Sequence, residues 1–214
     1  MQKHSVNAAE NFIGGWYLDD ISICDELIDH FNKLPESSKA EGSSKGYANN
    51  AVNKKSLETY LYGTTDVENR YNAALQQVIE QYIKQYTYCA HYSPWQINEY
   101  PKIQYYKPFE GFLDWHTERT KMEFPIISRH LVFMTYLNDV SDAGETEFYY
   151  QKVKVKPEKG LTLIWPADWT FTHRGITSPT EEKYILTGWY NYVAEVYSGT
   201  VLSLQYQKDN YEYS

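Results

Sequence analysis

The segment Asp114-Trp115-His116-Thr117-Glu118 holds the residue types most suited to chemistry. On an extended chain, residues i and i+2 face the same side, so His116 and Glu118 project together; on a helix they would diverge by about 200°. A second imidazole, His173, lies in another extended run, Phe171-Thr172-His173-Arg174-Gly175. If two such strands face each other, His116, Glu118 and His173 form a set of two histidines and one carboxylate. That donor set holds non-haem Fe(II) with coordination positions left open. Lys183 adds to the pattern. It opens the apolar run Lys183-Tyr184-Ile185-Leu186-Thr187-Gly188-Trp189, where an ammonium is costly unless it reaches water or an anion. Among the other histidines, His130 starts a strand and His91 sits near a helix end, where it suits the helix dipole. Cys89 with His91 lacks the second pair that a structural zinc site needs.

Such residues need a scaffold, and the chain changes texture along its length. Asp20 is placed to cap a helix carrying Cys24, Leu27, Ile28, Phe31 and Leu34 at helical spacing, with Pro35 ending it. Thr65-Asp66-Val67-Glu68 reads as a capping box opening a second amphipathic helix, with a stripe from Val67 to Tyr86. Between them, Ser37 to Asn53 is polar and aperiodic and predicts a mobile loop. From about Gln96 the runs become short, aromatic and β-branched. The predicted strands are Gln96–Tyr106, Gly111–Glu118, His130–Leu137, Glu145–Tyr149, Gln151–Val155, Leu161–Trp165, Phe171–Arg174 and Tyr184–Val193. Helices first and strands after indicate an α+β chain, mainly β, folded as a sandwich or jelly roll braced by N-terminal helices. The expected organisation is one domain: 1–95 as helical support and mobile loop, 96–193 as jelly-roll core, and 194–214 as a tail.

Composition narrows the function classes. A formal net charge of −8 repels phosphate backbones, so no nucleic-acid partner is expected. The same charge means that an anionic ligand needs a dedicated local cation. No apolar run approaches the roughly 20 residues of a membrane span, and the first ten residues lack the apolar stretch of a secretory signal. Two cysteines make no disulfide framework, so a reducing, cytoplasmic setting is expected. Tyr accounts for 22 of 214 residues, a supply of amphipathic rings for the walls of a small barrel.

The order of several motifs resembles the catalytic core of the prolyl 4-hydroxylase-like 2-oxoglutarate and Fe(II)-dependent dioxygenases, from about Gln104 to Tyr192. The motifs are Tyr105-Tyr106-Lys107-Pro108, Trp115 to Glu118, Tyr136-Leu137-Asn138-Asp139 and Gly144-Glu145-Thr146-Glu147-Phe148. They continue with Pro157 to Gly160 leading into Leu161 to Pro166, His173-Arg174-Gly175, and Lys183 to Trp189. The resemblance implies a double-stranded β-helix (jelly roll). It implies His116, Glu118 and His173 as metal ligands, Lys183 pairing with the distal carboxylate of 2-oxoglutarate, and Tyr106 and Thr187 beside that co-substrate. Trp189, Tyr136 and Arg174 become candidates for the substrate pocket, with Tyr149 and Tyr150 near a substrate groove. The implied cofactors are Fe(II), 2-oxoglutarate and O2, with ascorbate as a further candidate. The implied reaction hydroxylates an unactivated C–H bond and releases succinate and CO2, first of all on a prolyl residue of a peptide or protein. A free amino acid or small metabolite is the second substrate class, and a catalytically silent binding module the third reading. Two positions depart from the usual pattern: Glu118 stands for Asp, and Ala143 for Gly. The loops Ser37–Asn53 and Arg119–Ser128 are the expected substrate lids.

Overall fold

A computed structural model describes residues 1–4, 11–45 and 52–193. In chain order the strands are β1 (Lys3–His4), β2 (Gly14–Tyr17), β3 (Ala40–Lys45), β4 (Val52–Tyr60), β5 (Trp95–Gln96), β6 (Lys102–Tyr106), β7 (Arg129–Tyr136), β8 (Thr146–Phe148), β9 (Val153–Val155), β10 (Leu161–Pro166), β11 (His173–Gly175) and β12 (Lys183–Tyr192). Helix α1 spans Ser22–Lys33 and helix α2 spans Asp66–Gln85. The large sheet runs β1-β2-β10-β7-β12-β6-β4-β3, with β5 added beside β12, and the small sheet runs β11-β8-β9. All pairings are antiparallel. The jelly roll expected from the strand pattern is thus present.

The large sheet is covered on both faces, and the alternation of side chains along each strand sorts them. On β7 and β12, Leu131, Phe133, Tyr184, Leu186 and Tyr190 join the core beneath the helices. Their neighbours Val132, Met134, Tyr136, Ile185 and Trp189 face the other way, into a second core shared with Phe148, Val153 and Val155 of the small sheet. Helix α1 contributes Ile23, Cys24, Leu27 and Phe31, and α2 contributes Tyr71, Leu75, Val78, Ile79 and Tyr82, all buried. The capping box at Thr65 forms as predicted, with Glu68 completing it. Asp20 lies one residue before the cap position of α1, yet its carboxylate still accepts from the Ser22 N–H at 3.0 Å. One buried hydroxyl relay ties helix to sheet: Tyr71 to Thr135 at 2.8 Å, and Thr135 to Thr162 at 2.7 Å.

Several expectations are corrected. The predicted loop Ser37–Asn53 contains a 3-10 turn at Glu36–Ser38, all of β3 and the start of β4; its residues 46–51 lie outside the described residues. The reason is chemical: the inward face of β4 carries Lys54, Ser56 and Glu58, so it shows no apolar alternation to read. Gly111–Glu118 is not a strand but is held by two isolated bridges, Lys54 to Phe112 and His116 to His173. The run Gln96–Tyr106 breaks into β5 and β6, and Phe171–Arg174 divides between a 3-10 turn and β11. The tail 194–214 lies outside the described residues.

The hydroxyl relay can be tested by itself. Tyr71→Phe removes one buried hydrogen bond without leaving a void and should cost about 1 kcal/mol of stability in urea unfolding. Leu75→Ala, which opens a cavity under the sheet, should cost about 2–5 kcal/mol.

Candidate active site

Two backbone hydrogen bonds bring the candidate metal ligands together. The His116 N–H donates to the His173 carbonyl at 3.0 Å, and the His173 N–H to the His116 carbonyl at 2.9 Å. This antiparallel bridge sets the imidazoles side by side, with ring centroids 4.3 Å apart. The pairing of β11 with β8 fixes His173 in turn, through its register with Phe148. Each Nδ1 lies 2.9 Å from the carbonyl two residues earlier, Asp114 for His116 and Phe171 for His173. A carbonyl only accepts, so Nδ1 carries the proton and Nε2 keeps its lone pair. Both Nε2 atoms face Glu118 Oε1, at 3.8 Å and 3.4 Å. One donor atom from each of His116, Glu118 and His173 lies within 4.8 Å of the others.

Glu118 is one methylene longer than Asp, and its far oxygen is held firmly. Glu118 Oε2 accepts from the Trp189 indole N–H at 2.9 Å and lies 3.5 Å from Arg129 Nη1. The same guanidinium donates to the Glu118 backbone carbonyl at 3.0 Å and lies 3.6 Å above the Trp189 ring. Glu99 grips Arg129 through two bonds of 2.9 and 2.6 Å, and Asn191 donates to Glu99 at 2.9 Å. Burial alone would raise the Glu118 carboxyl. The neighbouring His173, His116 and Arg129 outweigh it and hold Glu118 well below the usual carboxylate range. Burial and the neighbouring His173 push His116 down to about 3, so its ring stays neutral. Two imidazole Nε2 atoms and an ionised carboxylate form a donor set for a divalent ion, and two nitrogens with one oxygen suit Fe(II).

A cavity of about 290 Å³ opens on this cluster. Lys183 lines it and is buried. Its Nζ donates to the carbonyls of Gly144 at 2.9 Å and Ile176 at 3.3 Å, and no carboxylate among the described residues lies within ion-pairing distance. Burial pushes this ammonium down to about 8, against a smaller opposing effect of Glu145. Gly144 adopts a φ of 81°, left-handed backbone that glycine accommodates without strain, where its carbonyl meets Lys183. Tyr106 pairs with Lys183 across the sheet, its ring 5.3 Å from Nζ, and its hydroxyl donates to Gln104 at 2.8 Å. Thr187 and Trp189 also line the cavity.

Other expected residues lie elsewhere. Tyr136 is fully buried inside the barrel, donating to Thr146 at 2.7 Å, and does not line the cavity. Arg174 alternates with His173 and therefore points to the opposite face. There it pairs with Glu147 at 2.8 Å and lies 4.3 Å above the Trp115 ring. Tyr149 and Tyr150 are exposed and pack in the same aromatic row, outside the cavity. His130 bonds the Cys89 carbonyl at 2.7 Å and stays apart from the metal cluster. From the expected lid Arg119–Ser128, only Thr120 lines the cavity; Arg119 pairs with Asp168, and Lys121 with Glu123. Sequence reasoning missed Lys54, Lys102, Gln104 and Arg129 as lining residues. For Lys102 and Gln104 a signal existed, since they alternate with the chosen Tyr106 on one strand face.

Residues 97–191 match the family described as the 2OG-Fe(II) oxygenase superfamily. No curated protein matches the chain at a significant level. Among solved structures, the chain is similar to a viral collagen prolyl hydroxylase from Paramecium bursaria Chlorella virus-1 in complex with 2-oxoglutarate. The TM-score is 0.63 at 19% identity, over 86% of this chain and 97% of that one. A Pseudomonas putida prolyl-4-hydroxylase gives a TM-score of 0.64 at 14% identity, over 86% and 94%. A Trichoplax adhaerens prolyl hydroxylase, solved with a hypoxia inducible factor peptide fragment, gives 0.62 at 17% identity, over 85% and 84%. At these identities the likeness establishes the fold, and the family match joins it to the His116, Glu118 and His173 cluster. Residues 97–191 thus carry the likeness to the 2OG-Fe(II) oxygenase superfamily, on a fold shared with solved prolyl hydroxylases and around the His116, Glu118 and His173 cluster.

Proposed function

We propose that His116, Glu118 and His173 hold the iron, that Lys183 seats 2-oxoglutarate, and that the chain hydroxylates an aliphatic C–H bond of a prolyl substrate. The observation that carries the co-substrate assignment is Lys183. It is an ammonium buried at the cavity wall, with two carbonyls for partners and no carboxylate among the described residues within ion-pairing distance. A group in that state favours an incoming anion strongly, because burial strengthens the attraction and the desolvation cost is already met. The prolyl assignment draws its support from the shared architecture with solved prolyl hydroxylases, one of them bearing a peptide fragment.

Bound Fe(II) with O2 and 2-oxoglutarate supplies the oxidising chemistry, in which the co-substrate leaves as succinate and CO2 while one oxygen atom enters the C–H bond. The chain's residues bind and orient. The imidazoles present Nε2 because their Nδ1 protons are committed to backbone carbonyls. Trp189 and Arg129 keep the second oxygen of Glu118 occupied, which leaves Oε1 for the metal. Charge closes as well. Two positive charges from iron and one from Lys183 meet one negative charge from Glu118 and two from the co-substrate, a neutral set in a water-poor barrel.

Anaerobic addition of Fe(II) and 2-oxoglutarate should produce a weak visible metal-to-ligand band; a folded protein without that band would refute the assignment. His116→Ala or His173→Ala should abolish metal uptake. Trp189→Phe, which removes the N–H that holds Glu118 and shrinks the ring beneath Arg129, should weaken metal binding about tenfold in a chelator competition. Lys183→Ala should weaken 2-oxoglutarate about 100-fold in the same titration, with the metal retained. The pH dependence has a definite sign. The anion needs protonated Lys183, whose value lies at about 8, so co-substrate affinity should fall as pH rises above that point. Arginine at the same position, Lys183→Arg, should remove that fall.

A further inference from the structure

The cavity holds more positive charge than iron and 2-oxoglutarate can use. Lys54 on β4 and Lys102 on β6 both line it, and they share a single carboxylate, Glu58, at 2.5 Å and 2.7 Å. All three side chains are largely buried, at 10%, 15% and 9% exposure respectively. Glu58 is saturated. Besides the two ammoniums it accepts from Ser56 Oγ at 2.8 Å and Gln104 Nε2 at 2.9 Å. Gly42 packs against this carboxylate so closely that an added Cβ would stand 2.2 Å from Oε1. The lysines are not saturated. Each ammonium has three N–H groups, and Glu58 is the one acceptor in contact with either among the described residues. Burial and the neighbouring Lys102 push the Lys54 ammonium down, against opposing effects of Glu58 and Glu118.

Position matters as much as charge. Lys54 Nζ lies 5.3 Å from the Phe112 ring, which stacks at 3.6 Å on His116. Lys102 lies opposite Thr187 across the sheet and also lines an adjoining cleft of about 330 Å³ with Tyr60 and Tyr100. Arg129 is already balanced by Glu99. With the iron, Glu118, co-substrate and Lys183 neutral as a set, the cavity retains one positive charge, in a protein whose net charge is −8. A guest that fills the remaining donors must be an acceptor, and one that restores neutrality must be a monoanion.

We propose that this cavity selects a substrate carrying a carboxylate, and that Lys54 and Lys102 bind that carboxylate beside the iron centre. The proposal rests on the dioxygenase reading of the cavity. The carboxylate belongs either to a free amino acid or to an acidic residue flanking the target in a peptide.

Calorimetry under anaerobic conditions, with the Fe(II)- and 2-oxoglutarate-loaded protein, distinguishes these sources. One arm compares free amino acids, proline included, with their neutral amides. The other compares blocked prolyl peptides having a flanking glutamate with their glutamine counterparts. In one arm the acid should bind at least tenfold more tightly than its neutral partner. Lys102→Met and Lys54→Met should each reduce that preference below threefold, while Lys102→Arg keeps it. Equal behaviour of acid and neutral partner in every pair, absence of binding included, overturns the proposal, as does a preference that survives both methionine substitutions. Far-UV circular dichroism checks folding, and should a methionine variant fail to fold, the wild-type pairs and Lys102→Arg still decide. The visible band on 2-oxoglutarate addition is scored on the same samples, so a missing band refutes the dioxygenase reading separately.

Discussion

Ionic charge placed between two packed sheets has to be balanced locally, because the interior screens it poorly and water cannot reach it. Much of this protein's inner architecture follows from that constraint. Glu118 is ionised and buried, and Trp189, Arg129 and the two imidazoles surround it. Arg129 then needs its own partner, Glu99, which in turn is held by Asn191. Lys54 and Lys102 are tolerated through Glu58. Lys183 is the exception: among the described residues it has backbone carbonyls but no paired anion.

The same chain of partners compensates for the unusual carboxylate. A longer side chain at position 118 has more rotamers to lose, so a single contact would orient it weakly. Here one oxygen is engaged by an indole N–H and a guanidinium stacked on that indole, while the backbone carbonyl of the same residue is tied to the same arginine. Neighbours on β7 and β12 thereby fix the orientation of the Glu118 side chain.

Strand β12 links the two roles of the large sheet. Its outward residues Tyr184, Leu186 and Tyr190 lie in the core with α1 and α2, and its inward residues Lys183, Thr187 and Trp189 line the cavity. Support by the helices therefore reaches the site directly, one residue out of phase. The isolated bridge between His116 and His173 performs a similar task with only two hydrogen bonds, holding the irregular segment 111–118 against the small sheet.

Much was legible in the order of residues. Period-two and period-3.6 patterning located both helices and most core strands; His116, Glu118 and His173 stood out as a two-histidine, one-carboxylate donor set on extended segments, and Lys183 because an ammonium in an apolar run demands a reason. Thr187 and Trp189 were implied only by the resemblance to a known family. What patterning could not reach was any strand whose buried face is ionic. β4 reads as a polar loop because Lys54 and Glu58 bury each other, and that pairing exists only once β4 lies beside β6. Nor could spacing tell which face of the small sheet Arg174 would take, or that Tyr136 would sit within the barrel, since both depend on register. The sequence by itself determined the ligand types, their two-residue spacing and the fold class, because these rest on local chemistry and periodicity. Only the tertiary structure decided which charges meet, because ion pairs form between residues far apart in the chain and their strength depends on shared burial.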